Sequence, residues 1–126
     1  MKLRLDKNSI RLRVKKSDLE KLREENFAEE KINFPNEEFG YRLSVSDHAK
    51  EISVKATPSF VEVIVPSSNA HAWLNNDAVG IYHTIHFSNR TLDIIIEKDF
   101  PCTADKTEDK SDAFTELAEL NDAKRC

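Results

Sequence analysis

Glycine is scarce in this chain: Gly40 and Gly80 are the only two among 126 residues. Phosphate-binding loops and dinucleotide-binding folds need closely spaced glycines, because backbone amides must approach the ligand. The sequence therefore argues against both classes. Turns must be made instead by Asn, Asp, Ser and Pro, which favour turn geometry through side-chain hydrogen bonds or a fixed φ.

Long apolar runs are also lacking. No stretch approaches the roughly 18 apolar residues of a membrane span. Basic residues occur throughout the first 16 positions, which have no apolar segment of the kind found in secretory signals. We therefore expect a cytoplasmic protein that does not associate with membranes, with Cys102 and Cys126 as reduced thiols rather than a disulfide.

Metal-binding motifs are missing as well, since neither a C-x-x-C nor an H-x-x-x-H pair occurs. His83 and His86 are three apart on a predicted strand, so they face opposite sides of it and cannot share one metal. His83 falls on the apolar side, which favours a histidine packed in the core. Acidic residues after position 98 could gather around a hard cation, but their spacing is not that of an EF-hand. We predict no metal and no cofactor.

Cys102 in EKDFPC (residues 97–102) is the one candidate nucleophile. A reactive cysteine needs a lowered thiol pKa, and Glu97, Asp99 and Asp105 disfavour the thiolate. Pro101 cannot donate to a strand ladder, so the preceding strand is expected to end there. We predict an unreactive thiol and no catalytic residue.

Alternating apolar residues predict eight short strands. The first two form a hairpin around Lys7-Asn8-Ser9. A helix with a possible cap at Ser17 and an end at Asn26 follows, then four strands as a meander, a helix from Pro66 to Leu74, and a second hairpin. No sequence repeat is evident beyond this loose mirror of elements.

Most connections are too short for parallel crossovers. We therefore predict an α+β fold with a largely antiparallel, curled or barrel-like sheet of about eight short strands and two short helices. Residues 1–102 would form a single domain, and residues 103–126 an acidic C-terminal tail that is partly docked or helical. The predicted buried residues are Leu3, Leu5, Leu12, Tyr41, Leu43, Val54, Val63, Ile81, Leu92, Ile94 and Ile96.

Charge is unevenly distributed although the net charge is only −4. Residues 1–16 carry seven Lys/Arg and one acid, whereas residues 97–126 carry nine Asp/Glu and five Lys/Arg. Cations on one face of the first hairpin would repel one another across the strands, so an anion is expected nearby. It could be a ligand, a partner, or the segment from Glu97 to Asp112 returning across the hairpin. The predicted ligand-binding residues are Arg4, Arg11, Arg13, Lys98 and Asp99.

The residues favour a non-catalytic binding or interaction module for an unknown anionic small molecule or protein partner. Net negative charge and a lack of exposed aromatics on the hairpin argue against nucleic acid. The alternative is a metal-dependent phosphohydrolase in a tunnel-like antiparallel barrel. That class uses an E-x-E pair, whereas Glu51 to Lys55 here is E-x-x-x-K. Charged side chains inside a barrel would favour the enzyme, and an apolar interior the binding module.

Three segments carry a resemblance: NSIRLR (residues 8–13), EKDFPC (97–102) and SDAF (111–114). With them the chain resembles a family of short, uncharacterised bacterial proteins, a domain of unknown function, over nearly its whole length. The resemblance implies no activity. It implies that the C-terminal segment belongs to the domain.

Overall fold

The structure is a computed structural model, and it describes residues 1–100. The described chain contains eight strands and two helices, in the order β1 (Lys2–Asp6), β2 (Ser9–Val14), α1 (Lys16–Glu25), β3 (Phe27–Asn33), β4 (Glu38–Ser46), β5 (Ser53–Thr57), β6 (Phe60–Pro66), α2 (Ser67–Leu74), β7 (Gly80–Phe87) and β8 (Arg90–Lys98). The predicted α+β class and the number of elements are confirmed. Neither helix is long and apolar enough to cross a membrane.

The strands form two sheets rather than one. Sheet A has the order β1-β2-β8-β7, and sheet B has the order β3-β4-β6-β5. Each sheet contains two antiparallel hairpins joined by a central parallel pair, β2 with β8 and β4 with β6. The sheets do not close into a barrel, so that part of the prediction is wrong, as is the simple meander of four strands. Short turns fix the pairing only within a hairpin. Pairing between hairpins is decided by which strands the core brings together.

The topology has an internal two-fold relation. Residues 2–46 follow the order strand, strand, helix, strand, strand, and residues 53–98 repeat it. Exchanging β1–β4 with β5–β8 converts the strand order of sheet A into that of sheet B, with parallel and antiparallel pairs preserved. Each half contributes one hairpin to each sheet, so neither sheet is complete within one half.

Hydrogen bonds and register support this relation. Leu12 faces Ile96 in sheet A, and Val63 faces Leu43 at the equivalent position of sheet B. Beyond the regular ladders, the Gly40 amide donates to the Ser59 carbonyl, and the equivalent Asp93 amide donates to Asn8. The Val45 amide likewise donates to Asn26, and the equivalent Lys98 amide to Val79. The two halves therefore share equivalent backbone hydrogen bonds, although the residues that form them differ in type.

In the described part of the chain, one apolar core lies between the inner faces of the two sheets and the helices. Its most completely buried side chains are Leu12, Val14, Leu22, Leu43, Val63, Val65, Ile94 and Ile96. Most of the predicted core is confirmed as buried or as packed against the core. Leu5 was predicted wrongly: it is 56% exposed, because it lies on an edge strand beside a turn where no element of residues 1–100 covers it.

Helix α1 begins and ends through local hydrogen bonds. Its N-cap is Lys15, whose amide donates to the Asp18 carboxylate at 2.8 Å, so the cap predicted at Ser17 is wrong. Asn26 ends the helix as predicted, in the left-handed region at φ 68°, a conformation that Asn tolerates. The buried Asp18 carboxylate also lies 3.0 Å from the amino group of Met1, and the Met1 carbonyl accepts a hydrogen bond from the Tyr41 hydroxyl. These contacts attach the start of β1 to α1 and sheet B.

Candidate functional site

The outer face of sheet A, which points away from the core, carries most of the predicted site. Strand register places on this face Lys2, Arg4, Asp6, Ser9, Arg11, Arg13, Asp93, Ile95, Glu97, Gly80, Tyr82 and Thr84. Cations lie directly opposite one another on the hairpin, Lys2 with Arg13 and Arg4 with Arg11. Like charges at such positions repel, so this hairpin needs anions close by.

Glu97 on the neighbouring strand supplies one of these anions. Its Oε1 accepts a hydrogen bond from Arg11 Nε at 2.8 Å and forms an ion pair with Arg11 Nη2 at 2.7 Å. Its Oε2 accepts a hydrogen bond from the Tyr82 hydroxyl at 2.9 Å. Glu97 is only 7% exposed although it lies on the outer face, because Arg11 and Tyr82 reach it from both sides. Both carboxylate oxygens are satisfied, so the group is suited to holding β2, β8 and β7 together.

Tyr82 reaches Glu97 by lying across Gly80. A Cβ at position 80 would lie 2.8 Å from the Tyr82 hydroxyl oxygen and 2.7 Å from the Ile96 carbonyl oxygen, closer than real side chains approach. Glycine at this position therefore permits the contact. Burial of the phenol raises the pKa of Tyr82, and the hydrogen bond to the Glu97 carboxylate and its charge raise it further, while Arg11 lowers it.

Asp99 supplies a second anion where the chain leaves β8. Its amide donates to the Val14 carbonyl, and its carboxylate lies 3.1 Å from Lys2 Nζ and 4.0 Å from Arg13 Nη1. The ring of Phe100 lies 5.1 Å from the Arg13 guanidinium carbon, within the range of a cation–π contact. Arg13 Nε is buried and has no hydrogen-bond acceptor within residues 1–100. Lys2 and Arg13 thus share the Asp99 carboxylate, and the buried Arg13 Nε has no acceptor within residues 1–100.

The two remaining predicted residues, Arg4 and Lys98, lie on opposite sides of sheet A. Arg4 lies on the same face and pairs with Asp6 at 3.2 Å. Lys98 lies on the other side of the strand, where its Nζ donates to the Asn76 carbonyl at 2.6 Å and lies 5.8 Å from the Trp73 ring. The structure therefore brings Arg4, Arg11, Arg13 and Asp99 onto one face and separates Lys98 from them.

The predicted ligand-binding residues did not include Glu97 or Tyr82, and Glu97 was expected near the hairpin only as the start of the acidic segment. A signal for Glu97 was present: alternation in LDIIIEKD places Asp93, Ile95 and Glu97 on one face of β8, with Asp99 on the same side just after the strand. What the sequence did not show was that β8 pairs with β2, because that pairing joins strands about eighty residues apart.

On the equivalent outer face of sheet B, the side chains of Arg42 and Ser44 pair with other side chains of the same sheet. Arg42 pairs with Glu29 at 2.8 Å, and its guanidinium carbon lies 4.4 Å from the Phe27 ring and 6.0 Å from the Phe60 ring. Ser44 donates to Glu62 at 2.7 Å, which is the two-fold equivalent of the Arg11–Glu97 contact. Sheet B therefore provides an internal control for sheet A.

A surface groove with a volume of about 400 Å³ lies between the edge strands of the two sheets, lined in part by Glu51, Val54, His83 and His86. His83 is half-buried beside this groove and is not enclosed in the core. Within residues 1–100, no three His, Cys, Asp or Glu side chains are grouped as metal ligands would be. Cys102 and the acidic residues from Asp105 onward lie outside the described residues.

The interior offers no charged tunnel in the part of the chain that the structure describes. The buried charged residues among residues 1–100 are Asp18 and Glu97. Asp18 faces the amino terminus, and Glu97 lies on the outer face of sheet A. The phosphohydrolase alternative required charged side chains within a closed barrel, and this interior is apolar and the sheets are open.

Comparison with known proteins gives a family but no activity. The model of a family of unknown function (DUF7009) matches residues 1–117. No curated protein and no solved structure matches the chain. The match covers most of the 126 residues, so the chain belongs to this family of unknown function, and the match continues past the described residues.

Proposed function

We propose that the protein is a binding module that takes a carboxylate or phosphate group of an anionic ligand or partner on the outer face of sheet A. The observation that carries the proposal is the position of the Asp99 carboxylate, which lies between Lys2 and Arg13. This carboxylate marks where an external anionic group would bind.

The chemistry of Arg13 supports the same assignment. Its guanidinium presents several donors in a fixed plane, which suits carboxylates and phosphates. The 4.0 Å separation from Asp99 is long for a direct hydrogen bond, and the buried Nε has no acceptor within the described chain. An anion of larger reach than an aspartate side chain would satisfy Arg13 better than Asp99 does.

Exposure of the neighbouring cations provides access. The side chain of Lys2 is 63% exposed and that of Arg4 is 47% exposed, so an approaching anion meets positive charge at the edge strand. Such charges mainly accelerate association and fix orientation, whereas the partly buried Arg13 contributes more to affinity.

The test is to titrate the full chain with inorganic pyrophosphate, and separately with a short poly-glutamate peptide. Binding is measured by the change in backbone amide chemical shifts at each addition. We expect shifts at Lys2, Arg13 and Asp99. Arg13→Gln should weaken binding about tenfold to a hundredfold, because a charge-assisted hydrogen bond contributes about 1.5–3 kcal/mol and each 1.4 kcal/mol is a factor of about ten.

Lys55→Gln is the matched control. Lys55 lies on the outer face of sheet B at the position equivalent to Arg4. Its substitution should leave pyrophosphate binding unchanged. Equal losses in the Lys55 and Arg13 variants would show only a general effect of net charge and would refute the site.

A further inference from the structure

The two sheets end in four edge strands within the described chain: β1 and β7 in sheet A, and β3 and β5 in sheet B. An edge strand has amides and carbonyls without strand partners, and native proteins guard such edges with charged residues or proline against pairing with another chain. Three of the four edges are guarded in this way, since β1 is KLRLD, β3 is FAEEKIN, and β5 is SVKAT with Pro58 directly after it.

Strand β7 is the exception. Its sequence GIYHTIHF contains no Lys, Arg, Asp, Glu or Pro, and with eight residues it is the longest of the four edges. Strand β3 occupies the two-fold equivalent position in sheet B, where Glu29 and Lys31 stand in place of Tyr82 and Thr84. The same position in the fold is therefore guarded by charge in sheet B and left without such a guard in sheet A.

The register of β7 shows which of its backbone groups point to the open edge. The Lys98 amide donates to the Val79 carbonyl, so Val79 and every second residue after it exchange hydrogen bonds with β8. Asp93, which lies opposite Thr84, instead donates its amide to Asn8 on the far side of β8. The groups that point outward, where no strand of residues 1–100 pairs with them, are therefore the amides and carbonyls of Gly80, Tyr82, Thr84 and His86.

Exposed apolar side chains are concentrated on the same edge. Val79, Tyr82 and Phe87 are 47%, 62% and 48% exposed, and they are three of the seven large apolar side chains exposed within residues 1–100. His83 and Ile85 are half-buried beside the groove between β7 and β5. Strand β7 thus offers a row of free backbone groups together with apolar contact area.

From these observations we infer that β7 pairs in antiparallel orientation with β7 of a second copy of the chain, which joins the two four-stranded sheets A into one continuous sheet. A two-fold axis at Thr84 gives a closed pair, because the same surface serves both copies. The outward-pointing backbone groups of Tyr82 then bond to those of His86 in the other copy, and those of Thr84 bond to their own equivalents.

The side chains of β7 fit a second copy of the same strand. With the axis at Thr84, Tyr82 lies opposite His86 of the other copy and Ile81 lies opposite Phe87, and aromatic pairs of this kind stabilise antiparallel strands. His83 lies opposite Ile85, so neither histidine faces another histidine.

The other three edges do not fit their own copies in this way. A self-pairing centred on β1, β3 or β5 would place Arg4, Glu30 or Lys55 directly opposite its own equivalent. Like charges at such positions are destabilising, so among the described edges β7 is the one suited to symmetric pairing.

This inference goes beyond the proposed function and does not rest on it. Strand β8 lies between β7 and the basic hairpin of β1 and β2, so pairing through β7 leaves Lys2 and Arg13 open in both copies.

Sedimentation velocity of the full chain over a dilution series tests the pairing, and we expect a monomer–dimer equilibrium. Thr84→Lys should weaken dimerisation at least about tenfold, because two lysines would face each other at the axis. The fold accommodates this change, since β3 has Lys31 at the equivalent position and Asp93 lies directly opposite Thr84. An unaltered circular dichroism spectrum verifies that the variant is folded.

Asn33→Lys is the matched control, because it adds the same charge to the outer face of the edge strand β3, opposite Glu38. It should leave the dimer fraction unchanged. A chain that is monomeric at every concentration would overturn the inference, as would a dimer that responds equally to the two substitutions.

A disulfide trap tests the strand and the register. In a chain whose Cys102 and Cys126 are replaced by serine, Thr84→Cys should form a linked dimer on mild oxidation. Hydrogen-bonded residues that face each other in antiparallel strands have Cα atoms about 5.5 Å apart, which is within the range of a disulfide. Asn33→Cys in the same background should stay monomeric. No link through Thr84→Cys, or equal linking of both variants, would refute the pairing.

Pyrophosphate titration of the same samples separates the two proposals. A dimer that does not bind pyrophosphate would refute the proposed function and leave the pairing of β7 standing. A monomer that binds pyrophosphate through Arg13 would do the reverse.

Discussion

Replacement of Glu97 by leucine tests whether the carboxylate holds three strands of sheet A together. The change removes the acceptor of one hydrogen bond from Arg11 Nε and one from Tyr82, together with the ion-pair partner of Arg11. A hydrogen bond to a charged group contributes about 1.5–3 kcal/mol, and breaking a buried ion pair costs about 3–5 kcal/mol. The Arg11 side chain is 19% exposed and Tyr82 is mostly exposed, so water replaces part of what is lost. We therefore expect a loss of about 2–4 kcal/mol in the free energy of unfolding.

The assay is urea denaturation at neutral pH, in a double-mutant cycle with Arg11→Met. The double variant should recover most of the loss, because an apolar pair leaves no buried charge without a partner. High salt should change the Glu97→Leu cost little, since screening acts weakly on buried pairs.

Sheet B supplies the matched control for the cycle. Glu62→Leu removes the equivalent contact, in which the Ser44 hydroxyl donates one hydrogen bond to the Glu62 carboxylate and no ion pair is broken. A loss of about 1.5 kcal/mol is expected, the lower end of the range for a hydrogen bond to a charged group. The reasoning fails if Glu97→Leu costs no more than Glu62→Leu, or if the double variant loses the full sum of its single changes.

Four further predictions concern the fold. Ile94→Ala removes a side chain that is 1% exposed and should cost about 2–5 kcal/mol in urea, whereas an unchanged midpoint would mean that the inner face of β8 is misassigned. Asp18→Asn keeps an acceptor for the Lys15 amide but removes the charge facing the Met1 amino group, so about 3 kcal/mol should be lost. Glu30→Gln, whose side chain is 42% exposed, should cost at most about 1 kcal/mol, and equal costs would refute the buried pair. Burial and nearby carboxylates raise the pKa of Tyr41, and burial and Glu97 raise that of Tyr82, so the folded state favours neutral phenols. The contribution of these two tyrosines to stability should be constant up to the ordinary tyrosine pKa of about 10 and fall above it, and the fall should shrink in Tyr41→Phe and Tyr82→Phe variants measured by urea titration. Fragments 1–49 and 50–126 should each fail to form a stable sheet and should regain native circular dichroism when mixed, because each sheet draws one hairpin from each half; a fragment that folds alone would contradict this.

Local features of the fold could be predicted from the sequence because their causes are local. Alternation with period two identified all eight strands, and Asn26 and Asn75 ended the two helices where turn-forming residues predict an end. The order of strands could not be obtained in the same way. Each hairpin satisfies only its own hydrogen bonds, and nothing in KLRLD or SIRLRV specifies that β2 should add to β8 rather than to β3.

The candidate site shows the same division. Its cations on β1 and β2 follow from one alternating pattern, so the sequence places them on one face. Their partners come from β7 and β8, which only the parallel pairing brings alongside. The expectation that an anion lies near the hairpin was correct in its physical reason, because Glu97 and Asp99 contact Arg11, Arg13 and Lys2. It also assigned Lys98 to the site, although alternation places Lys98 on the opposite face from both acids.

Because the two sheets have equivalent strand orders, their outer faces differ mainly in the charges of the side chains at equivalent positions. Equivalent positions carry the Arg11–Glu97 pair in sheet A and the Glu62–Ser44 pair in sheet B, so the backbone geometry tolerates either polarity. In sheet B the central Arg42 is held between Phe27 and Phe60, which come from strands on either side. Sheet A has Ile95 and Ser9 at the positions equivalent to Arg42 and Phe60, and its aromatic ring over an arginine comes from Phe100, after the last strand. Sheet B therefore places rings from its own strands over its central arginine, whereas the ring over Arg13 of sheet A is that of Phe100, which follows β8.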